Sequence, residues 1–481
     1  MLPFGEFRPD VADLDTQFAR EARNVAPKAN SYGPMPGLSP YTSNALAATC
    51  LGLTLARTET GTWSIFSGTA TELYKFSSGS WTDVSRSSGG DYAVAAGDFW
   101  KFVEFGDTLI ATNYTDDVQS IDITSGSNFA ALSGSPPKAR GVSVVGDFVV
   151  LWGLASDNSA IHWSAINDPT GWTVGTDLSD TQTFPDHGKV TGVVHAIDGG
   201  YVLQEYAIRT MRFLPGNPDN AFEFDQVIEG KGCISPYGWA SQGDTVYFLS
   251  EDGFYSFGPA GLKPIGAQRV NQWFLDRADL TVAGQVLAVS DPYRPRILWA
   301  FRTPASSVFN RLLIYDWQLD RWSYAIVSAQ MWSSAATPGT DLDSISTALE
   351  DLPYSLDSRV WEGGRPTIVA VDTNSYLGFM EGANLEALIE TPEVHPFPGQ
   401  RAFVESLYPI VDTDDATFRI GYRERLQDQA TYTSSGTIVD TGEVPLRASG
   451  RLMRVEMTVP AGTAWTHAQG VQPNAQPDGV R

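Results

Sequence analysis

The five histidines are the first candidates for chemistry, because imidazole binds metal ions and transfers protons near neutral pH. They are His162, His187, His195, His395 and His467. No two of them have the His-x-His or His-x-x-x-His spacing that places two ligands on one face of a strand or helix. The histidines therefore predict no zinc site.

Carboxylates offer a second kind of site. The acidic run from Asp412 to Asp415 lacks the glycine and the closing glutamate of an EF-hand loop. It is typical of a solvated turn, with calcium binding as the less favoured alternative. The chain also has no Gly-x-Ser-x-Gly elbow, no Walker loop and no dinucleotide-binding glycine motif. We therefore expect no cofactor.

Short strands separated by turns must position any site. The segments "TWSIFSG", "TELYKFS" and "SWTDVS" are three strands with Gly/Ser turns between them. A similar order of strand, glycine turn, strand, polar turn and strand recurs around Gly106, Gly146, Gly199 and Gly243, which lie 40, 53 and 44 residues apart. Such units at intervals of about 40–50 residues are typical of β-propeller blades. Residues 294–326 and 366–382 fit more loosely, so we predict six or seven blades.

These patterns predict an all-β protein in three parts. Residues 1–45 are an extended N-terminal arm with a short helix at 13–25, where apolar side chains recur at helical spacing. Residues 46–400 are the β-propeller, with a helical insertion near 341–352. Residues 401–481 lose the repeat and form a small C-terminal β subdomain with an extended tail.

A glycan-binding or glycan-cleaving propeller is the main alternative function that the residues leave open. Residues 250–257, "SEDGFYSF", are close to the sialidase turn Ser-x-Asp-x-Gly-x-Thr-Trp. They are one residue short between Asp252 and Gly253, and Phe257 stands where tryptophan is required. One imperfect copy is typical of a hairpin turn, so we expect no catalytic residues and no enzyme.

The charge of the chain argues against another functional class, the proteins that read DNA sequence. The 481 residues include 32 basic and 56 acidic ones, a formal net charge of −24. A protein that reads DNA sequence needs a basic surface to meet phosphates, so this class is excluded. An acidic surface is nevertheless suited to letting DNA pass without sticking.

The cysteines and the apolar segments indicate whether the chain is disulfide-bonded, secreted or membrane-spanning. Cys50 and Cys233 belong to no Cys-x-x-Cys motif, and we expect both to be reduced and buried, although one disulfide stays open. The N-terminus lacks a secretory signal pattern, and no apolar stretch approaches the ~20 residues that span a bilayer.

The two ends of the chain carry a family resemblance. The phrase of the form NV-P----Y-P-PGL is made by Asn24, Val25, Pro27, Tyr32, Pro34, Pro36, Gly37 and Leu38. The end of the chain contributes Gly470, Gly479 and Arg481. Both phrases resemble the ends of tail proteins of tailed phages. With the chain length and the propeller, the chain is similar to the tail hub or nozzle proteins of short-tailed phages, also called packaged-DNA stabilisation proteins.

The resemblance implies structural work in the virion tail, after assembly in the host cytoplasm. Such proteins form a ring, typically a hexamer, below the portal and adaptor proteins. The ring extends the DNA channel, retains the packaged genome and anchors fibres, spikes or a needle. The expected partners are thus other copies of the chain, the portal or adaptor, these appendages and double-stranded DNA in passage. A component of a long-tailed phage stays an alternative.

The proline-rich segment at 23–41 has a second open question. Its prolines remove backbone donors and favour an extended path. Such a segment lies across a surface at low ordering cost. The sequence leaves open whether that surface belongs to another subunit or to the chain's own propeller.

Overall fold

Seven groups of four antiparallel strands form the blades of a β-propeller. The structure, a computed structural model, describes residues 1–479 except 13, 43, 59–60, 62, 78, 218–219 and 337–365. The first strands of the seventh and first blades are neighbours, so the ring of blades closes. The sequence prediction of six or seven blades is therefore resolved to seven.

In the first four blades the chain runs outward, from the innermost strand to the outermost. Blade 1 consists of Gly52–Arg57, Trp63–Gly68, Leu73–Ser77 and Ser80–Asp83. Blade 2 consists of Lys101–Phe105, Thr108–Thr112, Gln119–Asp122 and Ala130–Ala131. Blade 3 consists of Ala139–Val145, Phe148–Leu154, Ala160–Trp163 and Asp180–Thr183. Blade 4 consists of Val190–Ala196, Gly199–Gln204, Ala207–Phe213 and Phe222–Glu229.

The remaining blades have the same order of strands, but the last one borrows its outermost strand. Blade 5 consists of Trp239–Gln242, Thr245–Ser250, Gly253–Gly258 and Gly261–Pro264. Blade 6 consists of Val286–Ser290, Arg296–Phe301, Arg311–Asp316 and Arg321–Ala325. Blade 7 consists of Ala329–Ala336, Pro366–Asp372, Leu377–Phe379 and the N-terminal strand Ser39–Pro40. The two described helices are Asn271–Leu275 and the 3₁₀ turn Ala283–Gln285.

The recurring glycines mark the first hairpin of blades 2 to 5. Gly106, Gly146 and Gly243 have φ angles of 56°, 55° and 55°, and Gly199 has a φ of 138°. Glycine adopts this region without the steric cost that a Cβ atom brings. The sequence repeat therefore reflects the turn geometry of the blades.

Tryptophan side chains join neighbouring blades. The indole N–H of Trp100, which precedes the first strand of blade 2, donates to the Thr69 carbonyl of blade 1 at 2.8 Å. The indole N–H of Trp239 in blade 5 donates to the Thr191 carbonyl of blade 4 at 3.0 Å. Aromatic rings bury a large apolar area while the N–H finds a partner. These indoles thus hold the ring of blades together.

Side chains fill the propeller axis at one level. The rings of Phe99 and Tyr237, which precede the first strands of blades 2 and 5, lie 4.9 Å apart between centroids. The Phe99 N–H donates to the Tyr237 hydroxyl at 2.9 Å. Arg140 of blade 3 pairs with Asp98 beside them. Blades 2 and 5 are not neighbours in the ring, so these contacts cross the axis.

A β-sandwich is fused to blade 6. Its first sheet consists of Val25–Pro27, Tyr32–Pro34, Ala468–Pro477, Ala402–Val411 and Val444–Gly450, with Leu2–Pro3 beside the third of these strands. Its second sheet continues blade 6 through Glu21–Arg23, Ala387–Glu390, Leu452–Val459, Thr417–Arg423, Thr431–Tyr432 and Gly436–Thr437. Strands of the predicted C-terminal β subdomain lie in both of these sheets. Its boundary at 401 is wrong, because strands from 1–45 and 387–390 complete it.

The first 45 residues are built into this body and do not form a free arm. Phe4 and Phe7 are buried in one core cluster with side chains of blade 6 and the sandwich. Strand Ser39–Pro40 closes blade 7 by pairing with Leu377–Phe379. Of the two surfaces that the sequence left open for residues 23–41, the structure places the segment on its own chain.

The helix predicted at 13–25 is wrong within the described residues. Residues Glu21–Arg23 form a strand that pairs with Ala387–Glu390. Asp15 and Asn24 have φ angles of 50° and 56°, which a right-handed helix does not allow. Pairing with an existing sheet satisfies the backbone groups, and this outweighs a weak helical periodicity. The helix predicted at 341–352 lies outside the described residues.

Candidate functional site

The residues of the N-terminal phrase fasten the segment to the fold. Asn24 accepts a hydrogen bond from the Ile326 N–H through Oδ1 at 2.7 Å and donates from Nδ2 to the Glu386 carbonyl at 2.8 Å. Its own N–H donates to the Tyr324 carbonyl at 2.7 Å. Asparagine tolerates the left-handed conformation better than most residues. Asn24 therefore links blade 6 to the sandwich.

Tyr32 is the central buried side chain of this segment. Its hydroxyl donates to the Gly5 carbonyl at 2.8 Å, and its backbone pairs with Pro27. The Arg321 guanidinium lies 4.8 Å from the ring centroid, and it also donates to the Lys28 carbonyl. Burial raises the pKa of Tyr32 to about 12, so the hydroxyl stays a donor at neutral pH.

The prolines and glycine that follow guide the chain toward blade 7. Pro34 pairs with Val25, and Pro36 forms a bridge with Asn384. The Gly37 N–H donates to the Ala383 carbonyl at 2.9 Å, and its carbonyl accepts from the Gly382 N–H at 3.0 Å. These residues thus lead directly into the strand that closes the propeller.

The C-terminal residues of the resemblance lie on the same body. Gly470 pairs with Pro3, and a Cβ atom there would lie 2.4 Å from the Leu2 carbonyl oxygen. Gly479 has a φ of 87°, and its carbonyl accepts from the Arg401 N–H at 3.0 Å. Arg481 lies outside the described residues. The structure therefore brings both terminal phrases to the sandwich, where they have structural contacts.

A cavity of about 300 Å³ lies among the inner strands of blades 1, 2, 5, 6 and 7. Its wall includes Lys101, Trp239, Ser241, Met331 and Ser334. Of the described residues that line it, only Lys101 carries a charge, and none is a carboxylate. The cavity is therefore locally cationic in a chain whose net charge is −24.

Lys101 reaches from blade 2 toward the aromatic residues of blade 5. Its Nζ lies 5.1 Å from the Tyr237 ring centroid and 5.6 Å from that of Trp239. Both distances are within the range of cation–π attraction. Burial lowers the pKa of Lys101 to about 8, because an ammonium ion loses hydration there. Sequence reasoning missed this lysine, and its one signal is a charge between two aromatic residues, Trp100 and Phe102.

The two cysteines are free and buried, as the sequence predicted. Burial raises the pKa of Cys233 to about 12, and its thiol donates to the Ser235 carbonyl at 3.0 Å. Burial likewise raises the pKa of Cys50 to about 11. Both thiols are therefore protonated and poor nucleophiles at neutral pH.

The acidic run at 412–415 has a structural use at its first residue. Asp412 accepts hydrogen bonds from the N–H groups of Thr466 and His467, each at about 3 Å. Desolvation raises the pKa of Asp412, but hydrogen bonds from Thr466 and His467 outweigh it and hold the value at about 2. Among the described residues, no group of three or more His, Cys, Asp or Glu side chains is arranged to hold a metal ion.

The sialidase-like turn is a hairpin, as predicted. Ser250 pairs with Gly253 at the tight end of the second and third strands of blade 5. Asp252 there contacts Lys231, with Oδ2 2.7 Å from Nζ. Elsewhere, the described part of the chain contains no helix with the length and hydropathy of a membrane span.

Comparison with known proteins identifies no family for this chain. No family model matches the sequence, and no curated protein matches it. Among solved structures, BamB from Moraxella catarrhalis is 11% identical over 74% of this chain and 93% of its own, with a TM-score of 0.38. The computationally designed Ika8 protein is 9% identical over 78% and 99%, with a TM-score of 0.37. The C-terminal WD40 domain of Sif2 is 12% identical over 68% and 80%, with a TM-score of 0.35. The strand order of the chain itself shows an all-β protein with a β-propeller fold.

Proposed function

We propose that the chain is a structural protein of a phage tail, a hub or nozzle that assembles into a homo-hexameric ring below the portal and adaptor. In this role it extends the DNA channel, helps to retain packaged DNA and anchors fibres, spikes or a needle. It acts without catalysis. Its place is the virion tail.

The observation that carries the proposal is the meeting of the two terminal phrases. Gly470 of the C-terminal phrase pairs with Pro3, and Ala468 pairs with Tyr32 of the N-terminal phrase. A chance likeness of one proline-rich segment would not involve the opposite end of the chain. Both phrases resemble the same family, and they lie on adjacent strands of the sandwich. This supports the inference that the two ends of the chain pair in the same way in that family.

The acidic surface supports the same role. A net charge of −24 per chain is multiplied in a ring, and repulsion prevents tight phosphate contacts. Phe99 and Tyr237 meet across the propeller axis. In this proposal the DNA therefore passes through the central hole of the ring of copies, and not through a single propeller.

The test combines oligomeric state with location. We expect native mass spectrometry of the purified chain to give a mass six times that of one chain, and electron microscopy to show rings. Immunogold labelling of virions should place the chain at the tail, and the same images distinguish a short-tailed phage from a long-tailed one. A chain that stays monomeric and is absent from virions refutes the proposal. A monomer that depolymerises polysaccharide supports the glycan alternative instead.

A further inference from the structure

Lys101 is a partly buried cation that has no ion-pair partner among the described residues. A cation taken out of water usually requires a paired anion. No described carboxylate lies within ion-pair distance of its Nζ, and its neighbours are the faces of Tyr237 and Trp239. These faces attract the ammonium ion, but an aromatic ring has no net charge and does not replace a paired anion. The ammonium ion is thus left with capacity for an anionic partner.

The cavity next to Lys101 has the size of a small-molecule site. Its volume of about 300 Å³ is at the lower end of the usual range for such sites. Met331 and Trp239 provide apolar wall, while Ser241 and Ser334 bring hydroxyl groups that donate hydrogen bonds. The wall presents more polar than apolar surface to the cavity, and polar groups fix the orientation of a bound ligand.

The sign of the charge selects the class of ligand. With a lysine and no carboxylate among the described lining residues, the cavity repels cations and attracts anions. We propose that this axial cavity binds a small anion bearing a carboxylate or phosphate group, with Lys101 as its charged partner. The bound anion supplies the ion pair that no described carboxylate provides.

Binding then depends on the protonation of Lys101. Its lowered pKa of about 8 leaves the ammonium form dominant at neutral pH and removes it at higher pH. The titratable groups that face it are Cys233 and Tyr237, and burial raises the pKa of both, so neither becomes charged in this range. Asp98, which contacts the Tyr237 hydroxyl, is paired with Arg140. The expected pH dependence is therefore that of Lys101 alone.

The experiment measures binding of inorganic phosphate and of citrate to the full chain by isothermal titration calorimetry at constant ionic strength. We expect at least one probe to bind with a dissociation constant below about 1 mM at about pH 7. The Lys101→Met variant should lower that affinity at least tenfold, whereas Lys101→Arg keeps a charge and should retain most of it. The control is Lys189→Met, which removes the same charge from a side chain that is 65% exposed. It should change the affinity less than twofold.

The pattern of results decides both the site and the class of anion. Binding of citrate alone identifies a carboxylate site, and binding of phosphate alone a phosphate site. Affinity should fall about tenfold per pH unit above the pKa of Lys101, and this test needs no variant that must fold. The proposal is overturned if neither probe binds, if Lys101→Met binds as well as the wild type, if Lys189→Met weakens binding as strongly, or if affinity is independent of pH up to about 10.

Discussion

Replacing Tyr32 tests whether the N-terminal segment is part of the core. Tyr32 has no exposed surface, its hydroxyl bonds to Gly5, and its ring lies under Arg321. Removing a buried aromatic ring costs about 3–5 kcal/mol. The hydrogen bond contributes about 1 kcal/mol of this cost, since Gly5 loses its partner. We therefore expect Tyr32→Ala to lower the free energy of unfolding by about 4 kcal/mol, and Tyr32→Phe by about 1 kcal/mol.

The assay is urea unfolding followed by tryptophan fluorescence, because Trp299 and Trp322 belong to the same core cluster as Tyr32. A chain of this size need not unfold in one step, so the midpoint of the transition that these tryptophans report is the quantity to compare. With an m-value of about 4 kcal/mol/M for a large unit, Tyr32→Ala should lower this midpoint by about 1 M.

The matched control is Tyr293→Ala, which removes the same side chain from a site where it is 61% exposed. Its effect should stay within about 0.5 kcal/mol. If Tyr32→Ala and Tyr293→Ala unfold at the same urea concentration, the segment is not part of the core and the reasoning is refuted.

Three further predictions concern the sandwich and the thiols. Gly470→Ala places Cβ against the Leu2 carbonyl oxygen and should destabilise the protein by about 1–3 kcal/mol in the same urea assay; an unchanged midpoint contradicts the steric argument. The pKa of Asp412 in the folded protein is about 2, below its ordinary value of 3.8, so its contribution is present above about pH 4 and lost as the pH falls toward 2. The melting temperature of Asp412→Asn should therefore fall less steeply than that of the wild type between about pH 4 and 2. The effect stays below about 1 kcal/mol, because the Asp412 side chain is exposed. A variant whose pH profile is identical to that of the wild type contradicts this prediction. Cys50 and Cys233 should both resist Ellman's reagent at about pH 8 and both react in guanidinium chloride, because burial keeps them protonated and inaccessible; rapid modification of the native protein contradicts this.

Local sequence patterns predicted the blades well because each blade is built from neighbouring segments. The first hairpins at Gly106, Gly146, Gly199 and Gly243 need a glycine conformation that is visible in the sequence. The fourth strand of blade 7 is different, since Ser39–Pro40 is more than three hundred residues away from its partner strand. No local pattern marks such a pairing.

The candidate site likewise combines one feature that is visible in the sequence with others that only the fold brings together. A lysine between Trp100 and Phe102 is visible in the sequence, but its aromatic neighbours Tyr237 and Trp239 come from a blade on the other side of the axis. The closure of the ring alone brings these groups together. The absence of carboxylates from the described cavity wall is likewise a property of five blades and not of one segment.

The sequence by itself determined the all-β class, the repeated four-stranded unit, the acidic charge and the terminal phrases of the family resemblance. Each of these depends on residue type and on spacing along a short stretch. The tertiary structure decided that there are seven blades, that residues 13–25 contain a strand and no described helix, and that the two termini share a sandwich. Those features depend on backbone pairing between distant segments, whose hydrogen bonds and buried area outweigh the local preference of a segment such as Glu21–Arg23.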